Sequence, residues 1–210
     1  MMKQKITIIS AASLAFIFSA CTPLFPPQPG SEIQTFVLAD IEAEKSAKTI
    51  PATLVIEEFE VNAGLDTDKI ARTQNNQISY YEKARWADNL EDVARSTMIE
   101  SFENSGNFKS VIQEVQGVLG DYSLSNRIWD FQIKTEGVEI PEARVKIVTR
   151  IYSLPQRKVL LSFTSESKTP LDSENMDDVI ESLNKSFHVV QKDIIGKVTE
   201  FLAGMTAPAK

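Results

Sequence analysis

The sequence predicts an α+β fold: a mixed, largely antiparallel sheet with two amphipathic helices packed on it. Three observations carry that expectation. Apolar residues recur at steps of three and four from Leu90 to Phe102, and again from Met176 to Phe201, the spacing of helices that bury one face. Between these stretches, from Arg127 to Phe163, the period falls to two, as in strands with one buried face. Turn residues interrupt that region at Gly137–Glu142 and Ser153–Gln156 with no room for a helix, which is the pattern of an antiparallel meander.

Ahead of the domain, Lys3 and Lys5 precede an apolar run of 13 residues, Ile6 to Phe18, and small Ser19 and Ala20 lead into Cys21. A charged start, an apolar middle and a small-residue end are the parts of a secretory signal. A membrane-spanning helix needs about 20 apolar residues, so residues 1–20 read as a cleaved leader. The end Phe18-Ser19-Ala20-Cys21 resembles the lipobox of bacterial lipoproteins, with Phe18 in place of the usual Leu. That resemblance implies that Cys21 becomes the acylated first residue, with a diacylglycerol and an amide-linked, palmitate-type chain. An ordinary secretory signal that happens to contain a cysteine is the alternative. One fatty chain binds a membrane marginally, whereas two or more anchor it. Thr22, not Asp, follows the cysteine, and by resemblance to Gram-negative lipoproteins this implies an outer-membrane anchor with the domain facing the periplasm.

Cys21 is the single cysteine, so the fold stands without a disulfide, which a chain of this length can do. Residues 21–34 form the lipidated end and a tether: Pro23, Pro26, Pro27 and Pro29 favour a semi-rigid polyproline II stretch of about 30 Å over ten residues. Leu24 and Phe25 are free to enter the membrane interface. The net charge is −7, and −9 once Lys3 and Lys5 leave with the leader. Such a chain lacks the basic footprint of a nucleic-acid binder and the polybasic patch that holds proteins to anionic lipid.

One domain is expected over residues 35–205, with a disordered tail at 206–210. It begins with a strand at Thr35–Leu38, followed by a polar loop to Pro51 and an apolar strand at Thr53–Ile56. In the polar stretch Glu57–Gln77, Lys69–Thr73 reads as an edge strand, and Ile78–Tyr81 as a further short one. Asp88 and Glu91 have capping-box spacing at the start of the first helix, Gly106 stops it, and Phe108–Gln113 is the next strand. In the meander, Trp129, Phe131 and Ile133 share a face, as do Val145, Ile147 and Ile151, and then Val159, Leu161 and Phe163. Asp172, Ser173 and Asn175 offer caps to a last helix of about 28 residues, or 42 Å, which Gly196 bends or ends early. Strands then helix, twice over, fits a two-fold internal duplication, although no residue-level repeat accompanies it.

Catalytic chemistry finds little material. Triads, His-Glu-x-x-His sites, Walker loops and dinucleotide glycine fingerprints are absent from the sequence. His188, the single histidine, falls on the polar side of the last helix and reads as an exposed structural residue, because a catalytic base needs an oriented partner. Asp172, Glu174, Asp177 and Asp178 lack the glycine and terminal Glu of a calcium loop, and carboxylates at a helix start suit the macrodipole. No catalytic residue, metal ligand or cofactor is therefore expected. The unusual chemistry lies in Gln77–Asp88, where Tyr80, Tyr81, Arg85 and Trp86 are of the types enriched at interface hot spots. The same residues would equally suit packing where a strand turns into a helix. Within the group, Trp86 reads as mostly structural, and Arg85 with one tyrosine as mostly functional, since Arg is seldom buried unpaired.

Ile78-Ser79-Tyr80-Tyr81, then Ala84-Arg85-Trp86-Ala87-Asp88 and a helix, resembles the signature of the ABC-type transport auxiliary lipoprotein family, which includes the lipoprotein partners of MCE-type lipid transport systems. Arg72 resembles an arginine that often precedes this motif, and Phe36-Val37-Leu38 the family's opening strand. The likeness is motif-specific around residues 70–104 and rests on element order elsewhere. It implies a non-enzymatic, membrane-anchored docking or bridging component in lipid transport between envelope membranes. Its partners would be the MCE-family and ABC permease components, and Tyr80, Tyr81, Arg85 and Trp86 its binding patch. A structural or assembly lipoprotein, pilotin-like or an outer-membrane chaperone, is the alternative. Cys21→Ser is expected to leave the domain folded but unanchored; a variant that still sediments with membranes after high-salt and carbonate washes would place the anchor elsewhere.

Overall fold

A computed structural model describes residues 32–41, 49–115 and 119–206. The expected leader, the lipidation site and most of the tether lie outside the described residues, as do 207–210 of the expected tail. The chain divides into Met1–Glu32 and Ile33–Lys210, and the second unit holds every element named below.

In chain order the elements are β1 (Gln34–Phe36), β2 (Ile50–Ile56), β3 (Glu60–Val61), β4 (Lys69–Gln74), β5 (Gln77–Trp86), α1 (Leu90–Ser105), β6 (Phe108–Gln113), β7 (Tyr122–Lys134), β8 (Glu142–Ser153), β9 (Lys158–Pro170) and α2 (Met176–Thr206). All nine strands form one mixed sheet, with the helices packed on it. The long antiparallel pairs β7–β8 and β8–β9 are the expected meander. Along the other side of β7 the chain lays down three strands in succession, all parallel to it: β2 beside Tyr122–Leu124, β3 beside Arg127 and Ile128, and β4 beside Gln132–Lys134. Beyond them β6 extends β2, while β5 and then β1 extend β4. β4 is thus an interior strand, not the edge strand its polar sequence suggests; its polar side chains sit on an open face, and its main chain is paired on both sides.

The helix ends follow local chemistry. Gly106 terminates α1 at φ 63°, ψ 15°, the left-handed conformation that glycine adopts without strain. The capping box at Asp88 and Glu91 does not form: α1 starts one residue later with Asn89 at the cap, and Asp88 accepts the Asn89 N–H instead, at 2.8 Å. Asn175 caps α2 by accepting the Asp178 N–H at 2.9 Å. α2 runs unbroken through Gly196 to Thr206, so Gly196 does not end it and the first residue of the expected tail is helical.

The core lies between the helices and one face of the sheet. α2 crosses β8 and β9, burying Val179, Leu183, Phe187, Val190, Ile194 and Val198 against Val145, Ile147 and Ile151. The Phe131 ring stands edge-on to both Trp86 (centroids 5.8 Å) and Phe187 (5.4 Å), joining β5, β7 and α2 in an aromatic column. Trp129 is absent from it. A bulge between Ile128 and Asp130 adds a residue to β7, so Ile128 and Phe131 both face inward and Trp129, 49% exposed, faces out beneath the Lys146 ammonium. The strict alternation expected at Trp129 fails for that reason.

After β1 the chain is lashed across both helices. The Ala39 N–H donates to Asn184 Oδ1 (3.0 Å) and its carbonyl lies 3.0 Å from His188 Nε2, one turn further along α2. Asp40 accepts from Asn104 of α1 (3.0 Å), while Leu38 and Ile41 are buried. His188 is therefore a half-buried structural residue with a main-chain partner. Leu183→Ala and Phe187→Ala should each cost about 2–5 kcal/mol, whereas Trp129→Ser should cost under about 1 kcal/mol; chemical denaturation of the three variants measures the contrast.

Candidate partner-binding site

β4 and β5 form a hairpin through Asn75-Asn76, with φ 50° and 58°. Two successive positive φ values make the tight turn that matches strand twist, and asparagine tolerates them. The ladder is regular from Gln74↔Gln77 to Ala71↔Tyr80 and then breaks: β4 needs two more residues to reach Lys69, whereas β5 needs five to reach Arg85. The surplus in β5 bows away from β4, and β1 takes up Ala84, Arg85 and Trp86 on the other side.

At the bow lies an open cavity of about 400 Å³, lined by Tyr80, Tyr81, Arg85, Asp68, Lys69 and Ile33 among others. Three of the four residues singled out in the sequence line it. Tyr80 is half-buried; its hydroxyl donates to the Gly64 carbonyl (2.9 Å) and Lys69 Nζ stands 5.5 Å from the ring centroid. Gly64 also packs closely on Ile78, whose Cδ1 would lie 3.1 Å from a Cβ at that position. Arg85 reaches Asp68 at 3.5 Å with both side chains about 40% exposed. An ion pair this open is worth little to stability, and leaves the guanidinium available. Trp86 is placed elsewhere: it is 1% exposed, inside the aromatic column.

Tyr81 is also half-buried, with Arg72 over its ring at 5.7 Å, and Arg72 donates to Ser79 Oγ at 3.1 Å. Burial pushes the Tyr81 phenol above its ordinary 10.0; the Arg72 charge pulls it down and Glu174 pushes it up. Asp68, Lys69 and Ile33 carry no sequence signal for this site, because the break in the β4–β5 ladder brings the first two beside the tyrosines and the pairing of β1 with β5 brings the third. Arg72 was visible in sequence as the arginine ahead of the motif. Among the described residues, no group of three His, Cys, Asp or Glu side chains is placed to hold a metal ion, and no helix is long and apolar enough to cross a membrane.

The family model for the ABC-type transport auxiliary lipoprotein component matches residues 36–195, from the end of β1 through the first 20 of the 31 residues of α2. The chain belongs to that family. As a family of auxiliary lipoproteins it is associated with ABC-type transport and is not known as an enzyme family. The fold of this auxiliary lipoprotein is similar to that of protein XCC0632 from Xanthomonas campestris, with a TM-score of 0.74 and 16% identity over 82% of this chain and 99% of that one. Protein CT253 from Chlamydia trachomatis shares the fold more distantly, with a TM-score of 0.54 and 7% identity over 73% of this chain and 99% of that one. In sequence, the chain is 26% identical over 152 residues, 72% of its length, to the uncharacterised protein bll6063 of Bradyrhizobium diazoefficiens, and spans 40% of that relative's length.

The site predicts a titration. With its phenol raised above 10.0, Tyr81 keeps its proton in the fold when the unfolded chain has begun to lose it, so its contribution to stability is constant below pH 10 and falls as pH rises beyond it. Phenolate absorbance should show a late ionisation from Tyr81 that disappears in Tyr81→Phe and moves later still in Arg72→Met.

Proposed function

We propose that this auxiliary lipoprotein is a non-enzymatic docking or bridging component of an MCE-type ABC system that moves lipid between envelope membranes. Acyl chains on Cys21 hold it at the outer membrane, the Pro-rich tether spaces it from the bilayer, and the domain faces the periplasm. Its partners are the MCE-family and permease components of the same system.

The observation that supports this reading most is the open cavity at the bow of β5. It presents Tyr81 and Arg85 to solvent in the stretch where the likeness to the family is most motif-specific. Tyr and Arg are the anchors that interfaces favour, because each combines apolar area with a directional polar group. Asp68 and Lys69 surround them with charge, which suits the rim of a protein interface. Trp86 supports the patch from beneath.

Purified periplasmic segments of the MCE-family and permease subunits provide the test, used as bait beside thermal melts of single variants. Tyr81→Ala and Arg85→Ala should weaken association by about 1–4 kcal/mol with little change in melting temperature. Trp86→Ala should lower the melting temperature, and weaken binding only in proportion to lost folding. Binding unchanged in both Tyr81→Ala and Arg85→Ala would defeat the proposal, and co-purification with a secretin or an outer-membrane barrel instead would favour an assembly lipoprotein.

A further inference from the structure

The docking surface includes an open sheet edge. β5 pairs with β4 from Gln77 to Tyr80, but on its other side β1 covers Ala84, Arg85 and Trp86 alone. Among the described residues no strand lies beside Gln77–Lys83 on that side. The Asn75-Asn76 turn fixes which main-chain groups point outward. Gln77 faces Gln74 across the two-residue turn and Ser79 faces Arg72, so these pairs exchange hydrogen bonds within the hairpin. By the alternation of an antiparallel ladder, Ile78 and Tyr80 turn their N–H and C=O groups to the open side. Such a row is a template for another extended chain. A helix or an acyl chain cannot satisfy it, since the first has its main chain already bonded and the second has no donors or acceptors.

Charge narrows the occupant further. Lys69, Arg72 and Lys83 are exposed around this edge and, among the described residues, none of them forms an ion pair. Asp68 is engaged by Arg85, which leaves Glu82 as the exposed acid within the strand. Glu174, exposed ahead of α2, also acts on Tyr81, so three cations without ion pairs stand against two acids, and the local surface is net cationic on a chain whose net charge is −7. Ile78 and Ile33, 42% and 46% exposed, add apolar contact at the two ends.

We propose that the partner docks by strand addition, an inference that rests on the docking reading above. An extended, acidic segment of a protein partner pairs its main chain with Ile78 and Tyr80. It sets its carboxylates toward Lys69, Arg72 and Lys83, and places an apolar side chain in the cavity beside Tyr81. Main-chain pairing supplies affinity, and the cavity supplies the choice of sequence.

The test uses the full domain and the purified periplasmic segment of the MCE-family subunit. Ile78→Pro removes an outward N–H while leaving the β4 ladder, which does not use it; Ile78→Ala controls for the side chain. Ile78→Pro should weaken association by about tenfold or more, and Ile78→Ala by less than about threefold. Amide exchange at Ile78 and Tyr80 should slow in the complex. Lys83→Glu, a surface change with no fold to lose, should weaken binding and flatten its salt dependence even if Ile78→Pro folds poorly. If Tyr81→Ala and Arg85→Ala weaken binding while Ile78→Pro, Lys83→Glu and the two amides show no change, strand addition is overturned and the docking reading survives. If none of the variants weakens binding, both fall. Protection of the two amides in the domain alone, rising with its concentration, would assign the edge to a second copy and overturn the proposal.

Discussion

The fold depends on one strand that must satisfy four others at once. β7 bonds β8 along its full length on one side and receives β2, β3 and β4 in turn on the other. Thirteen residues at about 3.3 Å each provide a spine of roughly 40 Å, and the order of pairing along it fixes where every flanking element lies. The bulge between Ile128 and Asp130 sits where β3 gives way to β4, and lets both Ile128 and Phe131 reach the core. Phe131 then carries the contact between Trp86 and Phe187, each edge-on pair worth about 0.5–1.5 kcal/mol beyond its buried area. Through that ring the base of the candidate site is continuous with α2.

The sheet's two faces solve different problems. The inner one buries aliphatic and aromatic side chains beneath α1 and α2. On the outer one, Arg144 spans Asp130 (3.3 Å) and Glu166 (3.0 Å), tying β7, β8 and β9 together, with Lys146 and Lys168 near the same Glu166. These pairs are part-exposed and individually modest. Interleaved charge of both signs also makes that part of the sheet a poor surface for casual association.

Much of this was legible in the sequence. The meander, the buried stripe of α2, the stop at Gly106 and the Phe108–Gln113 strand all follow from local periodicity and turn chemistry. What failed to show was pairing. The Lys69–Gln74 stretch reads as an edge because its side chains are polar, yet main-chain partners on both sides are a matter of topology. Trp129 reads as core because a single inserted residue leaves no mark on an alternating pattern. At the candidate site, the residue types of Tyr80, Tyr81 and Arg85 were visible, and Trp86 was legible as the structural member. Their neighbours Asp68 and Lys69 were not, since a break in strand register brings them there. The Asn75-Asn76 turn was readable in principle, because adjacent asparagines between short strands suit a tight hairpin.

The lashing of Leu38–Ile41 across the helices bears on mechanics. Any tension that reaches the domain from its N-terminal side arrives at Ile33 and passes first into β1, three residues of parallel pairing that can be peeled one bond at a time. Behind it stand the Ala39 links to Asn184 and His188, the Asp40 link to Asn104, and the buried Leu38 and Ile41. Load is thereby handed from a weak strand to two helices, and from α2 to the broad face of the meander. A pull strong enough to free β1 would lengthen the leash by a few residues and bare the rest of the β5 edge, while the packed core kept its shape.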